Sequence, residues 1–310
     1  MSDDHQAVEP VEYDEFGMFR ENAEEVGLPY DGPPVVERRR VEVGPGYALS
    51  ALVWGDGPPE LVLLHGGAQN AHTWDTVALA LGRPLVAIDL PGHGHSDGRV
   101  DVGISPREYA DDVAVAVRRL APDARMVVGM SLGGLTALAL TARAPDLVRK
   151  LVLVDVTPGV NQEKGSSIAA FVNGPASFPN FDEILARTVE FNPTRSVSSL
   201  RRGILHNAVQ QPDGSWVWRY RRWRVLGASE DGAAVAHPDF GGLWDAVDGV
   251  GVPMMLVRGA DSPVVDDDDV AELRRRQPNV RVELVANAGH SIQGDQPLEL
   301  ARLLGDFARD

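Results

Sequence analysis

Short, uninterrupted apolar runs separated by helical patterns are the feature of this 310-residue sequence that most limits its fold. Runs of this length suit strands that are buried on both faces, as in parallel sheets. The apolar runs occupy residues 61–64, 85–90, 126–130, 151–156, 254–257 and 282–285. Helical patterns occupy residues 106–120, 131–144, 267–276 and 296–308. Because strands and helices alternate, the sequence predicts a doubly wound parallel sheet.

The predicted domain organisation follows from where this alternation starts and stops. Residues 1–34 form an acidic N-terminal extension, in which the stretch around Phe16 to Phe19 could dock on the body. Two β-branched alternating segments near 35–54 bring the predicted strands to eight. The core is expected to comprise residues 35–156 and 251–310. Residues 157–250 are too long for a crossover loop and carry amphipathic segments, which indicates an inserted, mostly helical cap.

Composition and charge narrow the classes of partner. The formal net charge of −16 disfavours nucleic acid and anionic membrane surfaces, which both require a basic face. The chain has no cysteine, which excludes thiolate nucleophiles and zinc–thiolate sites. The N-terminal residues do not resemble a secretory signal, and no run approaches the length of a membrane span. We therefore expect a cytoplasmic protein that acts on a small molecule, as a monomer or a homodimer.

The strongest chemical signal is a G-x-S-x-G motif, Gly129 to Gly133, placed directly after a buried strand and directly before a helix. That context is the one in which this motif presents a nucleophilic serine. The sharp turn requires glycines two residues to either side of Ser131. It also points the start of the following helix toward a developing oxyanion. The motif predicts Ser131 as the nucleophile and the Leu132 N–H as one oxyanion donor.

Two further loops complete the predicted catalytic site. His65-Gly66-Gly67 follows the 61–64 strand, and the Gly67 N–H is the expected second oxyanion donor. The ring of His65 is expected to hold this loop by hydrogen bonding. His290 lies after the last strand, in the position of the base in the Ser…Asp…His order. The sequence thus predicts His290 as the general base.

Together these motifs resemble the α/β-hydrolase superfamily, in the group with a helical cap between the sixth and seventh strands. The resemblance covers about residues 35–310. It implies an eight-stranded, mostly parallel sheet and a Ser-His-Asp triad that needs no cofactor or metal. Members of this group usually carry the acid after the seventh strand, in a Gly-x-x-Asp turn. Asp261 lies in that turn one residue early, and Asp155 ends the sixth strand; we favour Asp261 and keep Asp155 as the alternative.

The predicted reaction is hydrolysis of a carboxylic ester, thioester or lactone through an acyl-enzyme, because a serine, an imidazole and an oxyanion hole perform acyl transfer well. The same triad also suits a C–C bond hydrolase, an acyltransferase or a perhydrolase. A ligand-binding or receptor protein on this scaffold is a further alternative. Met130, Trp74 and Trp218 are candidate walls of the substrate pocket, although Trp74 is equally compatible with core packing. The arginine- and tryptophan-rich stretch 213–224 could bind an anionic or aromatic ester.

Overall fold

Eight strands form one sheet in the computed structural model, which describes residues 11–98, 105–161, 163–220 and 240–310. Within these ranges the strands are β1 (Val36–Gly44), β2 (Tyr47–Trp54), β3 (Leu61–Leu64), β4 (Leu85–Ile88), β5 (Met126–Met130), β6 (Leu151–Val154), β7 (Ser177–Phe178), β8 (Ala208–Gln210), β9 (Trp216–Trp218), β10 (Met254–Gly259) and β11 (Arg281–Val285). The sheet order is β1-β2-β4-β3-β5-β6-β10-β11. Only the β1–β2 and β2–β4 pairings are antiparallel, so the predicted mostly parallel eight-stranded sheet is confirmed.

Helices cover both faces of this sheet. The helices of the described residues are α1 (Phe19–Glu25), α2 (Asp75–Leu81), α3 (Pro106–Leu120), α4 (Leu132–Arg143), α5 (Ser166–Val172), α6 (Phe181–Phe191), α7 (Val197–Asn207), α8 (Trp244–Asp248), α9 (Asp267–Arg276), α10 (Ile292–Asp295) and α11 (Pro297–Arg309). Alternate residues of the central strand β5 enter opposite core layers, with Val127 in one layer and Met126 and Val128 in the other. A strand buried on both faces needs apolar residues at every position, which explains the uninterrupted runs.

The segment between β6 and β10 contains α5, α6 and α7 together with a small antiparallel sheet of order β7-β9-β8. It has its own buried cluster, in which Phe178, Ile184 and Trp216 pack together. The helices agree with the amphipathic patterns, but the sequence did not predict this small sheet. Two or three residues per strand are too few for a recognisable alternation. Part of the arginine- and tryptophan-rich stretch, residues 221–224, lies outside the described residues.

The N-terminal segment packs against the body through α1. The Phe19 ring is 1% exposed and lies 4.9 Å from the Trp54 ring, centroid to centroid. Arg202 of α7 is buried and donates a 2.7 Å hydrogen bond to Asn22 Oδ1, so α1 also contacts the inserted segment. Helix α1 is therefore part of the folded core, which goes beyond the partial docking that the sequence suggested for residues 16–19.

Replacing Phe19 by alanine is expected to lower the free energy of unfolding by about 3–5 kcal/mol, because a buried aromatic side chain leaves a cavity behind. Urea denaturation followed by tryptophan fluorescence measures this change. Val35→Ala is the matched control, since Val35 is 55% exposed and its truncation should change the free energy by no more than about 0.5 kcal/mol. Equal effects of the two substitutions would show that α1 contributes nothing to stability.

Across the described residues, none of the helices combines the length and the apolar character that spanning a lipid bilayer requires.

Candidate active site

Ser131 occupies a sharp turn between β5 and α4. Its φ of 50° and ψ of −120° are unfavourable for a residue with a side chain, and such strain concentrates at functional sites. A side chain on Gly129 would overlap the backbone of Gly133, and one on Gly133 would overlap the carbonyl of Leu64. The two glycines therefore permit the close approach of β5, α4 and β3 that this turn requires.

The loop after β3 lies beside this turn. Gly67, Ser131 and Leu132 line one cavity of about 30 Å³, so both predicted oxyanion donors belong to residues that share a cavity with the serine. The His65 ring is fully buried, and its Nε2 accepts a 2.9 Å hydrogen bond from the Leu90 N–H. Its Nδ1 must then carry the proton and donate to the Gly66 carbonyl, 2.7 Å away. Burial lowers the pKa of His65, consistent with a neutral ring that holds the loop as predicted.

His290 and Asp155 form a direct pair at the carboxyl ends of the parallel strands. His290 Nδ1 lies 2.8 Å from Asp155 Oδ2. The Asp155 carboxylate is fully buried and also accepts hydrogen bonds from the Gly259 N–H, at 3.0 Å, and from the Ser262 hydroxyl. Because β5, β6, β10 and β11 are consecutive in the sheet, the loops that follow them meet at one edge. Asp155 has a φ of 51°, a second strained residue at this edge.

The preference for Asp261 as the partner of His290 is wrong. Asp261 is exposed, and its backbone N–H donates a 2.9 Å hydrogen bond to the Ala288 carbonyl. Counting from Gly259, the position of the acid in a Gly-x-x-Asp turn is occupied by Ser262, whose hydroxyl donates to Asp155. The sequence signal for Asp155 was a serine at the expected acid position together with an aspartate at the end of the β6 run.

The predicted pocket residues divide between the core and a second cavity. Trp74 is 0% exposed and Met130 is 1% exposed, and both pack in the core layer that contains Met126. Neither lines the cavity beside Ser131 or the larger cavity, so Met130 is not a wall of either, and Trp74 follows the alternative of core packing. Trp74 ends the short 3₁₀ helix Ala71–Trp74 and turns inward because its large apolar ring is stabilised by burial. Trp218 does line the larger cavity, which has a volume of about 330 Å³.

This larger cavity lies between the core and the inserted segment. Its lining includes Gln69 and Ser291, the neighbour of His290. Gln69 belongs to the loop after β3 that carries Gly67, which we call the oxyanion loop. Its volume is typical of pockets for small molecules.

Helix α7 contacts the oxyanion loop beside this cavity: Asn207 Nδ2 donates a 2.7 Å hydrogen bond to the Ala68 carbonyl. Ala68 has a φ of 59°, so an external contact stabilises an unfavourable loop conformation.

Comparison with known proteins agrees with this architecture. A family model described as alpha/beta hydrolase fold matches residues 59–297. The chain belongs to this family. The predicted fold and the predicted enzyme class, a hydrolase, are confirmed.

Individual relatives cover nearly the whole chain. The esterase Rv0045c of Mycobacterium tuberculosis is 47% identical over 298 residues, which are 94% of this chain and 94% of that protein. The 2-(acetamidomethylene)succinate hydrolase of Mesorhizobium japonicum is 30% identical over 273 residues, 87% of this chain and 94% of that protein. A solved structure of the M. tuberculosis esterase, described together with its transition metal inhibition, has a TM-score of 0.84 at 46% identity. It covers 96% of this chain and 99% of that one.

Proposed function

We propose that this protein is a serine hydrolase of carboxylic esters with the triad Ser131, His290 and Asp155. The observation that carries the proposal is the 2.8 Å contact between His290 Nδ1 and the buried Asp155 carboxylate, at the edge of the sheet where Ser131 occupies its strained turn. The likeness to a mycobacterial esterase over nearly the whole chain supports the same substrate class.

The pairing of His290 with Asp155 defines the role of each ring nitrogen. Asp155 accepts the proton of Nδ1, which leaves Nε2 as the base that removes the proton of the Ser131 hydroxyl. The serine oxygen attacks the ester carbonyl, and His290 then protonates the departing alcohol. Water attacks the acyl-enzyme in the second half of the reaction, with His290 again as the base. The Asp155 carboxylate stabilises the imidazolium in both halves.

The oxyanion of each tetrahedral intermediate is stabilised by the N–H groups of Gly67 and Leu132. The Leu132 N–H lies at the start of α4, where the helix dipole adds positive potential. Both donors are held in place before the substrate arrives, so no reorganisation is needed as charge develops. Removing one such donor typically costs about 10²–10³-fold in kcat.

The cavity beside Ser131 indicates a short acyl group. About 30 Å³ accommodates roughly two water-sized groups, and apolar side chains form most of its walls. These walls are Leu135, Val156, Val160, Ile168, Phe240 and Val264. We therefore infer that acetyl and propionyl esters fit, whereas an octanoyl chain does not.

Replacing Ile168 by alanine is expected to shift the acyl preference toward longer chains. The lost side chain makes room for about two methylene groups beyond a propionyl group, each worth about 0.8 kcal/mol when buried, so the kcat/KM ratio of pentanoate to acetate should rise about tenfold. A series of p-nitrophenyl esters measures this ratio, and the acetate rate is the internal control. An unchanged ratio would place the acyl group outside this cavity.

The contact between α7 and the oxyanion loop predicts a role for Asn207 in positioning. Asn207→Ala removes the hydrogen bond to Ala68 and should lower kcat about tenfold, less than the loss of a complete oxyanion donor. KM should change little, because the loop acts mainly on the transition state. Asn180→Ala is the matched control, since Asn180 caps α6 of the same inserted segment without contacting this loop. A loss that appears in KM alone would contradict the positioning role.

Labelling by a fluorophosphonate probe tests the proposed function directly. The wild type should label stoichiometrically at Ser131 and turn over p-nitrophenyl acetate. An unlabelled, inactive wild type would contradict the proposal and favour a binding protein on this scaffold. Product analysis distinguishes hydrolysis from acyl transfer or perhydrolysis. The small-molecule substrate and the cytoplasmic location remain predictions, and cell fractionation tests the second.

A further inference from the structure

A buried cluster of His72, Asp75 and His206 takes no part in the reaction proposed above. His72 lies in the 3₁₀ helix Ala71–Trp74, Asp75 begins α2, and His206 belongs to the last turn of α7. One candidate ligand atom from each residue lies within 4.8 Å of the others, and all three residues line the larger cavity. The cluster therefore joins the core to the inserted segment at the wall of this cavity.

Two polar atoms of this cluster have no hydrogen-bond partner among the described residues. They are His206 Nε2 and Asp75 Oδ1, and both are buried. His206 Nε2 lies 3.8 Å from Asp75 Oδ2, which is too long for a hydrogen bond. Burying a polar atom without a partner costs about 1–3 kcal/mol. A ligand that satisfied these atoms would recover that cost.

The groups around the cluster match those that orient metal-binding histidines. Such histidines usually donate their second ring nitrogen to a carboxylate or another acceptor. His72 Nε2 lies 3.1 Å from Glu15 Oε1, which leaves Nδ1 directed at Asp75 Oδ2, 2.9 Å away. His206 Nδ1 lies 2.8 Å from the Tyr13 hydroxyl, which leaves Nε2 free. Both outer partners come from the N-terminal segment.

The neighbouring guanidinium of Arg38 is already paired with carboxylates. Arg38 Nη2 lies 3.3 Å from His72 Nε2, but its guanidinium pairs with Glu15 and, at 2.8 Å, with the buried Asp89 carboxylate. The two carboxylates of Glu15 and Asp75 flank the rings on this side. These two carboxylates therefore offer negative charge to an ion bound on the His72 side of the cluster.

We propose that His72 Nδ1, Asp75 and His206 Nε2 bind a divalent transition metal ion, with the fourth position open to the larger cavity. Two imidazoles and one carboxylate suit zinc, cobalt and nickel ions, whereas calcium and magnesium prefer oxygen ligands alone. Metal–ligand bonds of about 2.0–2.1 Å in a tetrahedral site place ligand atoms about 3.3 Å apart. The two measured separations, 2.9 and 3.8 Å, lie on either side of that value.

Metal binding requires a local movement. The two rings are stacked at an interplanar angle of 10° with centroids 3.7 Å apart, so their lone pairs run side by side. The His206 ring must tilt for both lone pairs to converge on one ion. The ion also replaces any proton between His72 Nδ1 and Asp75, so that proton is released on binding.

The tilt of His206 has a consequence for activity that rests on the proposed function. The Asn70 amide donates a 3.1 Å hydrogen bond to the His206 carbonyl, and the next residue, Asn207, holds the Ala68 carbonyl of the oxyanion loop. A displaced His206 therefore disturbs the loop that carries Gly67. We expect the bound ion to inhibit ester hydrolysis by lowering kcat, without contacting Ser131.

Titration of the full-length protein with Zn²⁺ and with Co²⁺ tests the site. Calorimetry should give one Zn²⁺ per chain, and bound Co²⁺ should develop the visible absorption of a tetrahedral complex. His206→Gln and Asp75→Asn should each weaken Zn²⁺ binding by at least about 100-fold. Glu15→Gln, which changes only an outer partner, should weaken it by about 10- to 100-fold. Ca²⁺ should not bind.

Two matched variants distinguish Zn²⁺ binding at this cluster from Zn²⁺ binding at other histidines. His290→Ala removes the histidine of the proposed triad, and His95→Gln removes a half-buried histidine outside the cluster. Both should bind Zn²⁺ with wild-type affinity, and circular dichroism without metal checks that every variant is folded. Wild-type affinity in folded His206→Gln and Asp75→Asn, loss of binding in His290→Ala, or no binding by the wild type would each overturn the proposal. Binding is measured without substrate, so an inactive enzyme would contradict the proposed function and leave this test intact.

Discussion

Ser131→Ala is expected to lower kcat for p-nitrophenyl acetate by roughly 10⁶-fold, because no other group can form the acyl-enzyme. Some acceleration over the uncatalysed reaction should remain, since the Gly67 and Leu132 N–H groups still stabilise an oxyanion formed by direct attack of water. The substitution removes one oxygen atom from a half-buried residue, so the melting temperature should change little. Steady-state kinetics and fluorophosphonate labelling measure the effect.

Non-additivity provides a sharper form of this test. If Ser131 and His290 act as one unit, His290→Ala alone, Ser131→Ala alone and the double variant should all lose activity to a similar extent. Independent contributions would instead multiply in the double variant. Ser166→Ala is the control, because Ser166 is exposed at the start of α5. This variant should be labelled at Ser131 and should hydrolyse the ester at the wild-type rate. Labelling that persists in Ser131→Ala would assign the nucleophile to another residue.

Asp155→Asn is expected to lower kcat by about 10⁴-fold with little change in KM. An asparagine retains the shape of the side chain, but it can present its NH₂ group to His290 Nδ1 and thereby favour the wrong tautomer. It also cannot stabilise the imidazolium. The loss of the negative charge leaves the donors of Gly259 and Ser262 facing a weaker acceptor, so some thermal destabilisation should accompany the kinetic effect.

Asp261→Asn is the matched control for this prediction. Asp261 is exposed and lies in the turn that sequence reasoning favoured, so its substitution should change kcat by no more than about twofold. The pair of variants decides between the two acids because each removes one carboxylate charge near the same loop. A large loss in Asp261→Asn together with a nearly active, folded Asp155→Asn would reverse the assignment made from the structure.

The different losses of kcat expected for Asp155→Asn and Asp261→Asn depend on which aspartate contacts His290 in the folded protein. The His290 contact with Asp155 joins residues 135 positions apart in the chain. Local sequence places both aspartates at the ends of strands, where either carboxylate could face the edge of the sheet. Their separation into a buried acceptor and an exposed surface group depends on the side-by-side arrangement of β6 and β10.

The sequence by itself determined the elements that depend on neighbouring residues. Continuous apolar runs predicted the parallel strands, because a strand buried on both faces has no polar position. The glycines around Ser131 predicted the strained turn, because backbone crowding there is a local property. The same holds for the helix that begins at Leu132 and for the position of His290 after the last strand.

Only the tertiary structure decided what depends on contacts between distant segments. In the folded protein Asp155, and not Asp261, contacts His290. Trp74 and Met130 lie in the core, and the short strands β7, β8 and β9 pair with one another. The tertiary structure also brought His72 and Asp75 of the core against His206 of the inserted segment, with Tyr13 and Glu15 of the N-terminal segment around them. The physical reason is common to all these cases. Burial and hydrogen bonding of a side chain are determined by its neighbours in space, which periodicity along the chain does not specify.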